Sequence, residues 1–153
     1  MLAAKILPFS AELQPHFESI NREWVEALFA IEPFDLAQLK NPQETIIDPG
    51  GLIIFAQLGE EIVGTVGLAK VDEETFELIK MGVKKSAQGK GIGLILGQAI
   101  LEKAKEMGAK KVELYTHTKL ASALKIYRKL GFREEVPEPG KYCRCDLKMV
   151  LTF

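Results

Sequence analysis

Apolar positions recur along this chain with two different periods. Phe17, Ile20, Trp24, Leu28 and Ile31 are spaced at three or four residues and predict a helix over residues 15–30. The run Glu32-Pro33-Phe34-Asp35 interrupts that pattern, and Asp35 reads as the N-cap of a short second helix ending near Asn41-Pro42. Before them, residues 5–9 read as a first strand. Residues 52–57 and 62–69 read as strands joined through Leu58-Gly59-Glu60-Glu61, a hairpin signal, and residues 76–83 as the strand after the next polar turn. Ile92, Ile95, Leu96, Ala99 and Ile100 return to helical spacing, predicting a helix over residues 91–107 that stops at Gly108. Residues 112–116 read as a strand. Leu120, Ala123, Leu124, Tyr127 and Leu130 give the next helix one apolar face, ended by Gly131. Residues 132–136 and 142–151 read as final strands around Pro137-Glu138-Pro139-Gly140.

The resulting order is β-α-α-β-β-β-α-β-α-β-β. Strands joined by short turns must pair antiparallel. A strand, helix and strand in succession must form a parallel, right-handed unit. The expectation is an α/β protein with a mixed sheet, as a single domain over residues 1–153 without repeats or linkers. Hydrophobic residues at 47% and charged residues at 27% suit a soluble globular chain. A net charge of −1 provides no global field for nucleic acid or an anionic membrane. No apolar run approaches the roughly 20 residues of a membrane span, and Met1-Leu2-Ala3-Ala4-Lys5 is no signal peptide, so a cytoplasmic location is expected. Cys143 and Cys145, two apart in a strand-like segment, are too close for a disulfide and lack partners for zinc, so no metal is expected.

Gln88-Gly89-Lys90-Gly91-Ile92-Gly93 lies between a predicted strand and a predicted helix. Backbone N–H groups at such a helix start favour phosphate, and glycine lets a ligand approach the main chain. Three glycine patterns compete. A P-loop needs Ser or Thr after Gly-Lys, where this chain has Gly91. A dinucleotide fingerprint needs a final glycine where Leu94 or Leu96 stands, although Glu113 falls near that pattern's acid. The third, Gln/Arg-x-x-Gly-x-Gly/Ala, fits Gln88, Gly91 and Gly93.

On this loop, and on Ala123-Leu124-Lys125-Ile126-Tyr127-Arg128-Lys129-Leu130-Gly131-Phe132, the chain resembles the GNAT superfamily of N-acetyltransferases over essentially its whole length. Val63-Gly64-Thr65 and Glu77-Leu78-Ile79-Lys80-Met81-Gly82-Val83 resemble its third and fourth strands. The resemblance implies a mixed, mostly antiparallel sheet splayed at the cofactor site and flanked by about four helices. It implies acetyl-CoA as co-substrate, with its pyrophosphate on Gln88, Gly89, Lys90, Gly91, Ile92 and Gly93. The pantetheine arm would lie along Met81 and Val83, where Gly82 leaves room, and an N–H near Val83 would face the thioester carbonyl. Tyr127 would protonate, or hydrogen-bond to, the departing thiolate; Glu77 leads Glu113 and His117 as the base, with a water relay and no side-chain base as the other reading. Trp24, Glu32, Asp35 and Tyr142 are expected around the acceptor, a small-molecule or peptide amine, with Phe29, Phe34 and Glu138 nearby. The family often has an asparagine where this chain has Leu120, so that contact to the arm would be either lost or replaced by Thr116, Thr118 or Lys119. Lys103, Lys105, Lys110 and Lys111 read as a solvated helix end with a secondary route to the nucleotide 3′-phosphate. No cysteine is placed to carry a covalent acetyl group, which favours direct attack in a ternary complex. A homodimer would use an exposed C-terminal strand. A non-catalytic acyl-CoA-binding sensor on the same fold is the alternative.

Overall fold

The computed structural model describes residues 3–136 and 145–153. In chain order the elements are β1 (Ala4–Pro8), α1 (Gln14–Leu28), α2 (Pro33–Lys40), β2 (Leu52–Leu58), β3 (Glu61–Lys70), β4 (Thr75–Val83), α3 (Ile92–Glu106), β5 (Lys111–Thr116), α4 (Ala121–Leu130), β6 (Arg133–Glu135) and β7 (Leu147–Thr152). The strands form one seven-stranded sheet in the order β1-β2-β3-β4-β5-β7-β6. Among the described residues, only β4 and β5 pair in parallel, as the strand–helix–strand reading requires. Among the described residues, no helix is long and apolar enough to cross a membrane.

Two cores cover the two faces. On one, α3 and α4 bring Leu96, Ile100, Leu124 and Tyr127 onto Phe76, Leu78, Val112 and Leu114. On the other, α1 and α2 bring Phe17, Ile20 and Leu39 onto Ile53, Phe55 and Ile79. Leu96, Ile100, Phe17 and Phe55 are fully buried, and each such side chain contributes about 1.5–3 kcal/mol through burial.

A bulge in β4 exchanges these faces. Thr65 pairs with Gly82 and Gly67 with Ile79, so Lys80 and Met81 together oppose Val66. Before the bulge, Phe76 and Leu78 face α3 and α4, and Ile79 faces α1 and α2. After it, Met81 and Val83 pack on the α3–α4 side. Gly82 instead lies under Trp24 and Ile20 of α1. Lys80 takes a left-handed φ of 54°, which costs a non-glycine residue roughly 1–2 kcal/mol. Its ammonium forms a buried ion pair with Asp35 of α2.

Several expectations are corrected. Glu32, not Asp35, holds the N-cap of α2, with Pro33 at the first helical position. Asp35 lies one turn in and is buried. A π-helical turn, Gln43–Ile47, buries Ile46 where the sequence offered no pattern. The C-terminal strand β7 is not an edge: it lies between β5 and β6, and the short, exposed β6 forms that border. Cys145 precedes β7 rather than lying within it, and Cys143 falls outside the described residues. Lys103 and Lys105 occupy the last turn of the 15-residue α3, about 20 Å from the glycine loop at its other end. Lys111 pairs with Thr75 at the opposite end of β4 from the loop, so these lysines lie away from it.

Helices α3 and α4 touch through glycine. A Cβ at Gly97 would fall 2.4 Å from Leu130 Cδ1, and one at Gly93 would fall 2.7 Å from Ile126 Cδ1. Gly97→Ile should therefore destabilise the fold by about 1–3 kcal/mol through overpacking, read as a lower urea midpoint. An unchanged midpoint would show slack between the helices.

Candidate active site

The ladder between β4 and β5 ends at Glu77↔Glu113. Beyond it the strands part, and a cavity of about 900 Å³ opens between them. Its walls are β4 from Glu77 to Val83, the end of β5, the glycine loop, the start of α4, and residues of α1 and α2.

The glycines of the loop have separate roles. Gly89 and Gly91 have φ of 82° and 77°, a region that disfavours any side chain. A Cβ at either would meet nothing within 4 Å, so this backbone is open to a ligand. Gly93 is required by the contact with Ile126. Gly91 is the N-cap of α3 and offers no side-chain cap. Among the described residues, no acceptor engages the N–H groups of residues 89–94. They lie at the positive end of a helix dipole. Gln88 holds the loop down by donating from Nε2 to the Val83 carbonyl at 3.2 Å. Glu23 of α1 accepts from the Lys85 N–H at 2.8 Å. The Ile92 side chain is buried in the core, leaving its N–H to the loop. Lys90 is exposed beside the loop.

Tyr127 lines the cleft and is 7% exposed. Its ring meets Phe132 edge-on at 5.9 Å, and no hydrogen bond to its hydroxyl is made among the described residues. Burial, followed by the nearby charge of Cys145, pushes the phenol well above its ordinary pKa. The group therefore stays protonated. Cys145 itself lines the cleft. The segment before β7 brings it there, a position the strand-like spacing of Cys143 and Cys145 did not indicate.

Glu77 is buried on the cleft wall at the fork where β4 and β5 separate. Glu113 sits beside it in register but is turned to Lys148, 3.6 Å away, and does not line the cleft. His117 is likewise off the cleft. Its Nδ1 accepts from the Lys119 N–H at 2.9 Å, and its ring packs on Phe29.

At the end of the cleft walled by α1 and α2, Trp24 and Asp35 line it. Trp24 donates from Nε1 to Asn21 Oδ1 at 3.0 Å. Its indole occupies the space that a side chain at Gly82 would need, with 2.9 Å to the missing Cβ. Gly82 thus makes room for Trp24. Glu32 and Phe34 are not on the cleft wall. Tyr142 and Glu138 lie outside the described residues. The sequence reading missed Lys80 and Gln38, which line the same end. A lone charge inside the apolar run Leu78-Ile79-Lys80-Met81 was the available signal for Lys80.

A sequence model described as the acetyltransferase (GNAT) family matches residues 13–132. The chain belongs to the GNAT acetyltransferase family. It is 32% identical over 139 residues to the uncharacterized N-acetyltransferase YvbK of Bacillus subtilis, covering 80% of this chain and 90% of that protein. It is also 37% identical over 86 residues to N-acetylaspartate synthetase of Homo sapiens, covering 56% of this chain but only 28% of that protein. Among solved structures, a GNAT acetyltransferase from Staphylococcus aureus Mu50 superposes with a TM-score of 0.87 at 24% identity, covering 98% of this chain and 99% of that one. The PaiA N-acetyltransferase of Thermoplasma acidophilum, solved with coenzyme A, gives 0.78 at 19% identity, covering 99% of each chain. The mixed sheet flanked by helices is the GNAT fold.

The buried phenol sets a pH dependence. A raised folded-state pKa adds stability that is complete below the unfolded value, about pH 10, and is lost as pH rises toward the folded value. Wild type should therefore lose stability relative to Tyr127→Phe above about pH 10, measured by urea unfolding at a series of alkaline pH values. Parallel curves would place an ordinary, solvated phenol at this position.

Proposed function

We propose that this protein is an N-acetyltransferase that moves an acetyl group from acetyl-CoA to a primary amine of a small molecule or peptide, by direct attack in a ternary complex. The observation that carries this reading is one continuous cleft. It runs from the open backbone of Gly89 and Gly91, between the parted strands β4 and β5, to Tyr127 and Glu77. Open N–H groups at a helix start suit a pyrophosphate. Hydrogen bonds to charged groups contribute about 1.5–3 kcal/mol each, and a micromolar site needs about 8 kcal/mol net, so four or five of them bring the loop into that range.

Acetyl-CoA supplies an acetyl thioester when bound. The N–H groups of residues 89–94 would hold its phosphates, and the main chain of Met81 and Val83 would run beside its arm. Tyr127 keeps a proton on Oη in an apolar surround, ready to meet a thiolate whose parent pKa is about 8.5. Glu77, buried on the cleft wall, would take the proton that a cationic amine must lose before it can attack. Trp24 and the Asp35–Lys80 pair wall the acceptor end. PaiA, whose structure contains coenzyme A, shares this fold, and YvbK carries the N-acetyltransferase name; both support the reading.

Calorimetric titration with acetyl-CoA, CoA, NAD and ATP tests the cofactor. Selective micromolar binding of acetyl-CoA is expected, followed by acetylation within a panel of amines; preference for NAD or ATP would overturn the proposal. Binding without turnover on any amine would favour the sensor reading. Gly91→Glu should weaken acetyl-CoA binding about a hundredfold, equal to ~2.8 kcal/mol, by adding bulk and negative charge at an open position. Tyr127→Phe should lower turnover about a hundredfold with little change in CoA affinity; undiminished turnover would reduce Tyr127 to core packing. Cys145→Ala should keep turnover within about twofold, because direct attack needs no acyl-cysteine. Loss of activity, with acetyl trapped on the wild-type protein, would replace the ternary mechanism.

A further inference from the structure

The Thr116 hydroxyl is buried with no hydrogen-bond partner, the one such side-chain group found among the described residues. Thr116 is 5% exposed and ends β5 on the cleft wall. By strand alternation it shares the face of Val112 and Leu114, both core residues beneath α3 and α4. A valine would fit the same environment, so packing alone does not account for the hydroxyl. A buried polar group is disfavoured unless something pairs with it.

Its level along the cleft indicates what that partner is. The last paired positions of β4 and β5 are Glu77 and Glu113, so Thr116 stands three residues farther on, level with Lys80. The glycine loop begins past Val83, about 10 Å beyond that level. A ligand with its phosphates on the loop and its reactive end near Glu77 must pass Thr116. Neighbouring polar groups have other engagements. The Thr118 hydroxyl and N–H both donate to the Asp146 carboxylate, at 2.9 and 3.0 Å. The Lys119 ammonium lies 5.3 Å from the Phe29 ring centroid. Leu120, at the turn into α4, presents an apolar side chain to the same wall.

Resting on the acetyl-CoA reading above, we propose that the Thr116 hydroxyl is the hydrogen-bond partner of an amide in the pantetheine arm, fixing the arm's depth in the cleft. It is a binding and positioning residue; no proton of the reaction passes through it.

The experiment titrates the full chain with CoA and with adenosine 3′,5′-bisphosphate, which lacks the arm. Thr116→Val keeps the side-chain shape and removes the hydroxyl. It should raise the CoA dissociation constant about fivefold to tenfold, the effect of one neutral hydrogen bond, and leave that of the bisphosphate unchanged. Thr116→Ser should retain wild-type CoA affinity. The ligand-free melting temperature of Thr116→Val should be equal to or above wild type, because an unpaired buried hydroxyl has been replaced by a methyl. Wild-type CoA affinity in Thr116→Val would overturn the proposal, as would equal losses for both ligands, which would point to a disturbed loop. If valine prevents folding, Thr116→Ala is read by the same ratio of dissociation constants. Wild type binding neither ligand would instead be a failure of the acetyl-CoA reading, visible before any variant is made.

Discussion

The parting of β4 from β5 is the constraint on which the site depends. Two parallel strands that begin in register at Thr75 and Lys111 would ordinarily continue as a closed ladder. Here the ladder stops at Glu77, and the freed edge of β4 becomes a wall. The bulge at Lys80 and Met81 bends the strand, and the buried ion pair with Asp35 fastens the bend to α2. Trp24 presses on Gly82 from the same side. The helices α1 and α2 therefore hold open a cleft whose other walls belong to α3, α4 and β5. A left-handed lysine is an unfavourable backbone choice, and it is kept where the strand has to leave its neighbour.

The glycine loop and Tyr127 are linked through the contact of α3 with α4. Gly93 lies in the first turn of α3 and against Ile126, the residue preceding Tyr127. The open N–H groups and the buried phenol are thus set by one tightly packed pair of helices. Local order at the loop comes from Gln88 and Glu23, which tie it to β4 and α1. These contacts explain how a nearly bare backbone can be held ready for a ligand.

Much of this was legible in the sequence because the signals are local. Helical spacing placed α1, α3 and α4 to within about two residues, and Gly108 and Gly131 marked the ends of α3 and α4 with positive φ. The open backbone at Gly89 and Gly91 was signalled by glycines between a strand and a helix. What could not be read depends on distant partners. The bulge is defined only against Val66 of β3. Gly93 serves a helix contact rather than chain flexibility, a distinction that needs Ile126 in place. Asp35 resembles a cap until Lys80 is beside it. The insertion of β7 between β5 and β6 is a matter of topology, with no signature in the strand itself. Cys145 reached the cleft for the same reason: the segment leading into β7 passes the wall of β5.

The exchange of faces at Lys80 and Met81 bears on how this strand can change over generations. Substitutions along β4 alter one contact at a time. A gain or loss of one residue shifts the frame of the whole distal half, turning Met81 and Val83 away from α3 and α4 and presenting them to α1. A deletion that tidied the ladder with β3 would scramble the cleft wall. By this geometry the segment accommodates a change of residue more readily than a change of length.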